Sequence, residues 1–280
     1  MYIKCWGARG SAPVSGKEFL RYGGNTTCIE VRADNPQQSI LIDFGTGALP
    51  MGLELVRRDV KNLDVLITHS HWDHIMGFPL FPLLFVPDSR IKFHFNPAFL
   101  GNPEKLVVQD MMKSPHFPIS PERLPVRFSY QQTGSDFKIG QVKITSIPLS
   151  HPNLGMGYRM ESAGKSFVFL TDNELGHPHP GGKSFDEYTR FCRGADLLIH
   201  DAEYFNQQEY NQTKGFGHST VDHVLELAAK AGVESLGLFH HNRQRTDQQI
   251  DQMIHQLNRD APAKYKFDIF AVYQGQEINL

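Results

Sequence analysis

The sequence predicts a layered α/β protein whose sheets are covered by helices, and three observations lead there. Short apolar strand patterns dominate the first half of the chain and alternate with helical patterns in the second. Five of the strand patterns finish on a histidine or an aspartate, at the strand end where α/β proteins gather ligands. The 280 residues, with 40% apolar and 21% charged side chains, can bury a sizeable core, and we read residues 1–280 as one domain.

Strands are expected at MYIKCWG (1–7), TTCIEVRA (26–33), SILIDFG (39–45) and LDVLITH (63–69). Residues 78–128 are rich in proline and aromatic side chains, and PEKLVVQDMMK (103–113) gives a short helical piece. Strands resume at VRFSYQ (126–131), VKITSIPL (142–149), GYRMES (157–162) and SFVFLTD (166–172). FDEYTRFCRG (185–194) reads as helix and DLLIHD (196–201) as strand. In STVDHVLELAAKAG (219–232), Val221, Val224, Leu225, Leu227 and Ala228 keep near-helical spacing, with Ser219 or Thr220 as N-cap. The strand SLGLFH (235–240), the helix TDQQIDQMIHQLNRD (246–260) and a terminal strand pattern at 266–280 complete the chain.

The bulk properties exclude several classes. A formal net charge of -2 gives no global pull toward nucleic acid or membrane. The three cysteines, Cys5, Cys28 and Cys192, form no CxxC pair and are odd in number, which fits a reducing cytoplasm and no disulfide framework. The N-terminal stretch lacks a signal-peptide core. The longest apolar piece, FPLFPLLFVP (78–87), is broken by three prolines, so no membrane span is expected.

The chemistry concentrates in THSHWDHIMG (68–77), where three histidines and an aspartate follow the apolar run VLI. Burying such groups unpaired is costly, so a metal, a hydrogen-bond network or solvent must compensate. An accidental HxHxDH is expected in roughly one chain in five hundred of this composition. Further strand ends deliver His151, Asp172, His200-Asp201 and His240-His241. Imidazole with carboxylate suits zinc, and also iron, manganese or nickel. Seven ligand candidates exceed what one tetrahedral ion uses, whereas two ions sharing a carboxylate would use them all and activate a water for in-line displacement.

On these residues the chain resembles the metallo-β-lactamase superfamily of hydrolases along nearly its whole length. The resemblance implies a four-layer αββα sandwich with a dinuclear site at one edge. HSHWDH matches the HxHxDH motif. By resemblance, His69, His71 and His151 hold one ion, Asp73, His74 and His240 hold the other, and Asp172 bridges them. His240 is preferred to His241 because it directly follows the apolar run, as in the family. HDAEYF (200–205) is similar to the HEAT segment of the phosphodiesterase branch, which includes RNase Z and cyclic-nucleotide phosphodiesterases, and GHST (217–220) matches its His-Ser-Thr segment. The WGARGSAP, YGGNTTCIEV and DFGTG segments resemble the same branch.

The resemblance therefore implies a phosphodiesterase that carries two divalent ions, zinc first and manganese or iron as alternatives. Its substrate would be a small, cyclic nucleotide or a similar phosphodiester. Asp73 and His218 would act at the reacting phosphate, with His200 and Asp201 orienting ligands or tuning His218. An RNA-end nuclease is the nearest alternative, weakened by the lack of a Gly/Lys-rich arm that would grip nucleic acid. A lactonase or thioesterase, and a metal-bound regulatory protein without turnover, stand behind it. Homodimer formation is compatible with all of these. His116 and Phe117 are candidates for the substrate entrance, and Asn25 either faces the site or shapes a turn.

Overall fold

The computed structural model describes residues 1–33, 35, 37–98, 101–260 and 265–280. The first sheet takes β1 (Tyr2–Gly7), β2 (Cys28–Arg32), β3 (Ser39–Ile42), β4 (Asn62–Leu66), β5 (Arg90–Phe95) and β6 (Arg127–Gln132). The second takes β7 (Asp136–Ile139), β8 (Val142–Pro148), β9 (Met156–Ser162), β10 (Lys165–Leu170), β11 (Leu197–Asp201), β12 (Ser235–Phe239) and β13 (Asp268–Ala271). The last strand, β14 (Glu277–Asn279), returns to the first sheet and pairs antiparallel with β1. The terminal pattern expected as one strand is thus two strands in different sheets.

Strand alternation builds the layers. In β10, Phe167 and Phe169 point between the sheets, where they meet Ile199 and Phe239 and face Ile29, Ile40 and Leu66 of the first sheet. Val168 and Leu170 point the other way, onto α3 (Phe185–Cys192), α5 (Val221–Ala231) and α6 (Asp247–Asp260). Both faces are buried, which is why these strands read as unbroken apolar runs. On the outer face of the first sheet, Leu41, Leu63 and Val65 pack under α1 (Ala48–Arg57) and the turns that follow. The order helix, sheet, sheet, helix is the αββα sandwich. Among the described residues no helix is long and apolar enough to cross a membrane.

Several local expectations are corrected. Residues 78–128 hold a full strand, β5, paired in parallel with β4 and β6. The helical piece expected over 103–113 is a single π turn, Glu104–Gln109. The helix α1 had no sequence expectation, because Pro50 and Gly52 interrupt its pattern. Pro50 falls in the first turn, where no N–H is required. Gly52 lets the helix lie against Phe81 and Pro82.

The register then sets the site. β10, β11 and β12 run parallel, with Leu170 opposite His200 and Asp201 opposite Phe239. Their carboxyl ends are therefore level, and the residues that follow emerge along one edge. Thr220 caps α5 by accepting from the His223 backbone N–H, so the helix starts three residues after His218 and holds that segment against the same edge.

Candidate metal centre

Two groups of side chains meet at this edge: His69, His71, His151 and Asp172, and beside them Asp73, His74, Asp172 and His240. Asp172 belongs to both. Its Oδ2 lies 3.6 Å from His69 Nε2 and 3.9 Å from His151 Nε2. Its Oδ1 lies 3.2 Å from His74 Nε2 and 3.4 Å from His240 Nε2. Within each group the facing atoms keep similar spacings: His71 Nδ1 to His151 Nε2 is 3.1 Å, His74 Nε2 to Asp73 Oδ2 is 3.4 Å, and His240 Nε2 to Asp73 Oδ2 is 3.2 Å. Two ligands bound about 2.0–2.2 Å from a tetrahedral ion stand about 3.3–3.6 Å apart, and these separations bracket that spacing, the shortest of them also lying within hydrogen-bond reach. The buried His69 Nε2 and His74 Nε2 have no hydrogen-bond partner, which leaves their lone pairs or protons to another group.

The electrostatics agree with this fit. Burial, and then the neighbouring His74, keep His69 well below its ordinary pKa; burial likewise brings His151 down to about 4. Both rings are then neutral and carry a free lone pair, the form a metal requires. Burial opposes charge on Asp172, but His240, His74 and His69 outweigh it and hold its carboxyl well below the usual range. His74 and His240 move up despite burial because Asp172 and Asp73 face them. The two carboxylates thus draw positive charge to the points where the second group converges.

Most candidate ligands are held from behind. His74 Nδ1 donates to Asp43 Oδ2 at 2.7 Å, and Asp43 also accepts from the Thr68 N–H and hydroxyl. His240 Nδ1 is 3.1 Å from Glu203 Oε2, and His151 Nδ1 donates to the Gly217 carbonyl at 3.0 Å. Asp73 Oδ2 also accepts from the Ser11 N–H. Such contacts fix the tautomer and aim the opposite nitrogen. Backbone strain collects here as well: Ser11, Asp43, Asp172 and His240 all have φ between 51° and 64°. Non-glycine residues in that region cost on the order of 1–3 kcal/mol each and persist where surrounding structure holds them. Gly217, at φ 97°, lies so close to His151 that a Cβ there would stand 1.8 Å from Nδ1.

His218 belongs to neither four-residue group. Its Nδ1 is 3.5 Å from Asp201 Oδ2 and its Nε2 3.5 Å from Glu203 Oε2. Burial opposes its charge, but Glu203 and then Asp201 outweigh it and lift its pKa to about 9. Asp201 is itself held by the backbone N–H groups of Asn173 and Ser219. His200 stands behind them, bonded through Nδ1 to the Asp201 carbonyl and through Nε2 to the Asn173 side chain. Its hydrogen bonds go to Asp201 and Asn173 and to no candidate ligand. His241 is buried on the far side of its neighbour and donates to the Val272 carbonyl. Asn25 accepts from the Thr46 hydroxyl.

Asp43 and Glu203 were not singled out from the sequence. Asp43 carried the signal that marked Asp172, an acid directly after an apolar strand. Glu203 lies three residues past His200, inside a segment that was noted only as a whole. A cavity of about 320 Å³, lined by Ser11, His71, Trp72, Asp73, Asp172, His218 and His240, opens the centre to solvent.

An αββα sandwich that gathers imidazoles and carboxylates, one of them shared, at the strand ends of its two sheets is the scaffold of a metal-dependent hydrolase that binds divalent metal. The chain belongs to the beta-lactamase superfamily, whose family profile, "Beta-lactamase superfamily domain", matches residues 38–241. A relative named Ribonuclease Z from Exiguobacterium sibiricum is 26% identical over 251 residues, covering 77% of this chain and 83% of that protein. Among solved structures, the metallo-beta-lactamase fold protein YhfI from Bacillus subtilis superposes with a TM-score of 0.69 at 17% identity, covering 99% and 98% of the two chains. A diphosphatase of the PhnP family gives a TM-score of 0.66 at 18% identity, covering 100% and 97%. Within the superfamily, this chain stands with the phosphodiesterase, RNase Z-like branch.

Proposed function

We propose that the protein is a dinuclear metal-dependent phosphodiesterase acting on a small nucleotide, with a cyclic phosphodiester as the best-fitting form. The observation that carries this reading is Asp172, whose two oxygens face two separate groups of ligands while His218 stands beside both and belongs to neither. His69, His71 and His151 would hold one ion, Asp73, His74 and His240 the other. When bound, two divalent ions, zinc in our reading with manganese or iron as alternatives, supply a water nucleophile at neutral pH and positive charge for phosphoryl oxygens.

The remaining work falls to the chain's own residues. Asp201 and Glu203 flank the His218 ring, each 3.5 Å from one of its nitrogens, and favour its protonated form, from which it can donate to a phosphoryl oxygen or give its proton to the leaving oxygen. Asp43 and Glu203 fix the orientation of His74 and His240. The roughly 320 Å³ cavity supports a small reacting group, since it lies near the lower end of the ~300–1,000 Å³ range of small-molecule sites.

A second reading, cleavage of RNA ends, is favoured by the relative named Ribonuclease Z. The deciding experiment is a panel of 2′,3′- and 3′,5′-cyclic nucleotides, bis(p-nitrophenyl) phosphate, a precursor tRNA and a lactone, each with added zinc or manganese. We expect cyclic nucleotides and the simple diester to be turned over. Cleavage confined to the tRNA would establish the second reading, and turnover of the lactone alone would overturn both.

A further inference from the structure

Two aromatic side chains around the centre are placed against the rule that large apolar groups seek the interior. Trp72 is 75% exposed and Phe216 64% exposed, the highest values for aromatic residues among those described. Both are embedded in the site's own segments. Trp72 sits between His71 and Asp73, opens the short helix α2 (Trp72–Ile75), and lines the cavity. Phe216 lies two residues before His218, between two glycines of positive φ, Gly215 at 92° and Gly217 at 97°.

Neither exposure reflects a loose loop. The turn that carries Phe216 is pinned by the buried carboxylate of Glu174, which accepts from the Gly215 and Gly217 N–H groups and from the Tyr210 hydroxyl. The Gly217 carbonyl in turn receives His151 Nδ1. Trp72 is carried by a backbone whose two neighbours are fixed: His71 faces His151, and Asp73 accepts from the Ser11 N–H. One flat apolar surface, Trp72, is thus held in water at the rim of a polar cavity, and a second, Phe216, in the segment that carries His218. The cavity of about 320 Å³ opens to solvent and Trp72 is part of its lining, so an organic group esterified to a phosphate bound there lies within reach of the indole face.

We infer that Trp72, with Phe216 in support, is the substrate's base-stacking platform, so that the enzyme selects phosphate esters bearing an unpaired nucleobase. A planar base has a π-face that stacks on an aromatic ring whatever its sequence identity. This rests on the phosphodiesterase reading for the reaction, but it is testable by binding alone.

The probes are adenosine 5′-monophosphate and ribose 5-phosphate, which share the phosphate and sugar and differ in the base. Affinities are measured by calorimetry on the zinc-loaded protein, its Trp72→Ala, Trp72→Phe and Phe216→Ala variants. The parent should bind the nucleotide about 5–150-fold more tightly than the sugar phosphate, the range a stacked base typically contributes. Trp72→Ala should abolish that difference while leaving sugar phosphate affinity within about 2-fold. Trp72→Phe should restore most of it, and Phe216→Ala should lower it partially. Nucleotide binding should quench tryptophan emission in the parent and not in Trp72→Phe, since the chain's other tryptophan, Trp6, is bonded to Glu30 in the first sheet. Equal affinity of the parent for both probes, or an equal loss for both in Trp72→Ala, would overturn the inference. A protein that bound the nucleotide through Trp72 yet hydrolysed no phosphodiester would instead overturn the proposed reaction and leave the platform standing.

Discussion

Replacing Asp43 with asparagine tests whether the two candidate ion positions are built independently. The Asp43 carboxylate is fully buried and each oxygen is committed. Oδ1 accepts from the Thr68 N–H at 2.7 Å, and Oδ2 accepts from the Thr68 hydroxyl at 2.6 Å and from His74 Nδ1 at 2.7 Å. Asparagine is nearly the same shape but has one acceptor and one donor. If its oxygen stays on the Thr68 N–H, its NH2 faces the His74 Nδ1–H, and two donors confront each other. His74 must then move its proton to Nε2, the nitrogen that faces Asp73 and Asp172. If the amide flips, the clash moves to the Thr68 N–H. Either outcome leaves a buried polar group unsatisfied, costing about 1–3 kcal/mol. Loss of such an orienting carboxylate typically weakens metal binding by about 10–100-fold, equivalent to about 1.4–2.7 kcal/mol. Zinc affinities from chelator competition should therefore show one weakened site in Asp43→Asn, the one formed by Asp73, His74 and His240. The site of His69, His71 and His151 should stay within about 3-fold of the parent. Two unchanged affinities, or a larger loss at the His69 site, would refute the argument.

Other expectations follow from the same geometry. Asp172→Ala should lose both ions and His240→Ala mainly one, as counted by elemental analysis; equal and parental metal content in both would refute the bridging role. Gly217→Ala places a methyl against His151 Nδ1 at a φ of 97°, so the variant should bind less metal or fold poorly, and a well-folded protein with full metal content would count against the packing described. His218→Ala should keep its metals and lose about 10²–10³-fold in kcat on a diester with a poor leaving group. A much smaller loss with p-nitrophenolate would mark it as the acid, an equal loss as a phosphate stabiliser, and loss of metal would refute both roles. Burial holds His241 down to about 3, below its value in the unfolded chain, so the unfolded state takes up a proton first as pH falls. Its contribution to stability is therefore present above about pH 6.5 and lost on acidification, with a slope of at most about 1.4 kcal/mol per pH unit, which His241→Asn should remove from denaturation curves taken between pH 6 and 4.

The sequence reveals the candidate ligands because parallel strands buried on both faces leave little ambiguity about where they stop. LITH, FLTD and GLFH each change from apolar to titratable within one residue; the register of β10, β11 and β12 levels the last two ends, and LITH brings its ligands from β4 of the facing sheet. Elements whose burial is one-sided or partial are much harder to read. β7 is four residues long with a largely exposed pattern, and β5 lies in a proline-rich stretch that breaks the surrounding periodicity. The helix α1 hides behind Pro50 and Gly52, because its fit depends on Phe81 and Pro82, some thirty residues away.

Which acid is shared between the groups is a different kind of question. Asp43, Asp73, Asp172 and Asp201 are all acids at or near strand ends, and nothing in their immediate neighbours ranks them. The structure separates them by backbone conformation and by what lies behind. Asp201 has its oxygens occupied by the N–H groups of Asn173 and Ser219, so it cannot turn toward the cavity. Asp43 is likewise committed to Thr68 and His74. Asp73 has one oxygen on the Ser11 N–H and faces one group only. Asp172 is left, lifted by a φ of 51° off the end of β10, with the Thr171 hydroxyl on Oδ1 and four imidazoles around its two oxygens. That left-handed turn is unfavourable on its own, and a strand end needs no such turn to stop. It is sustained because a carboxylate placed there meets both sets of histidines, a condition set jointly by the ends of β4 in the first sheet and of β8, β10 and β12 in the second and by no local stretch of sequence.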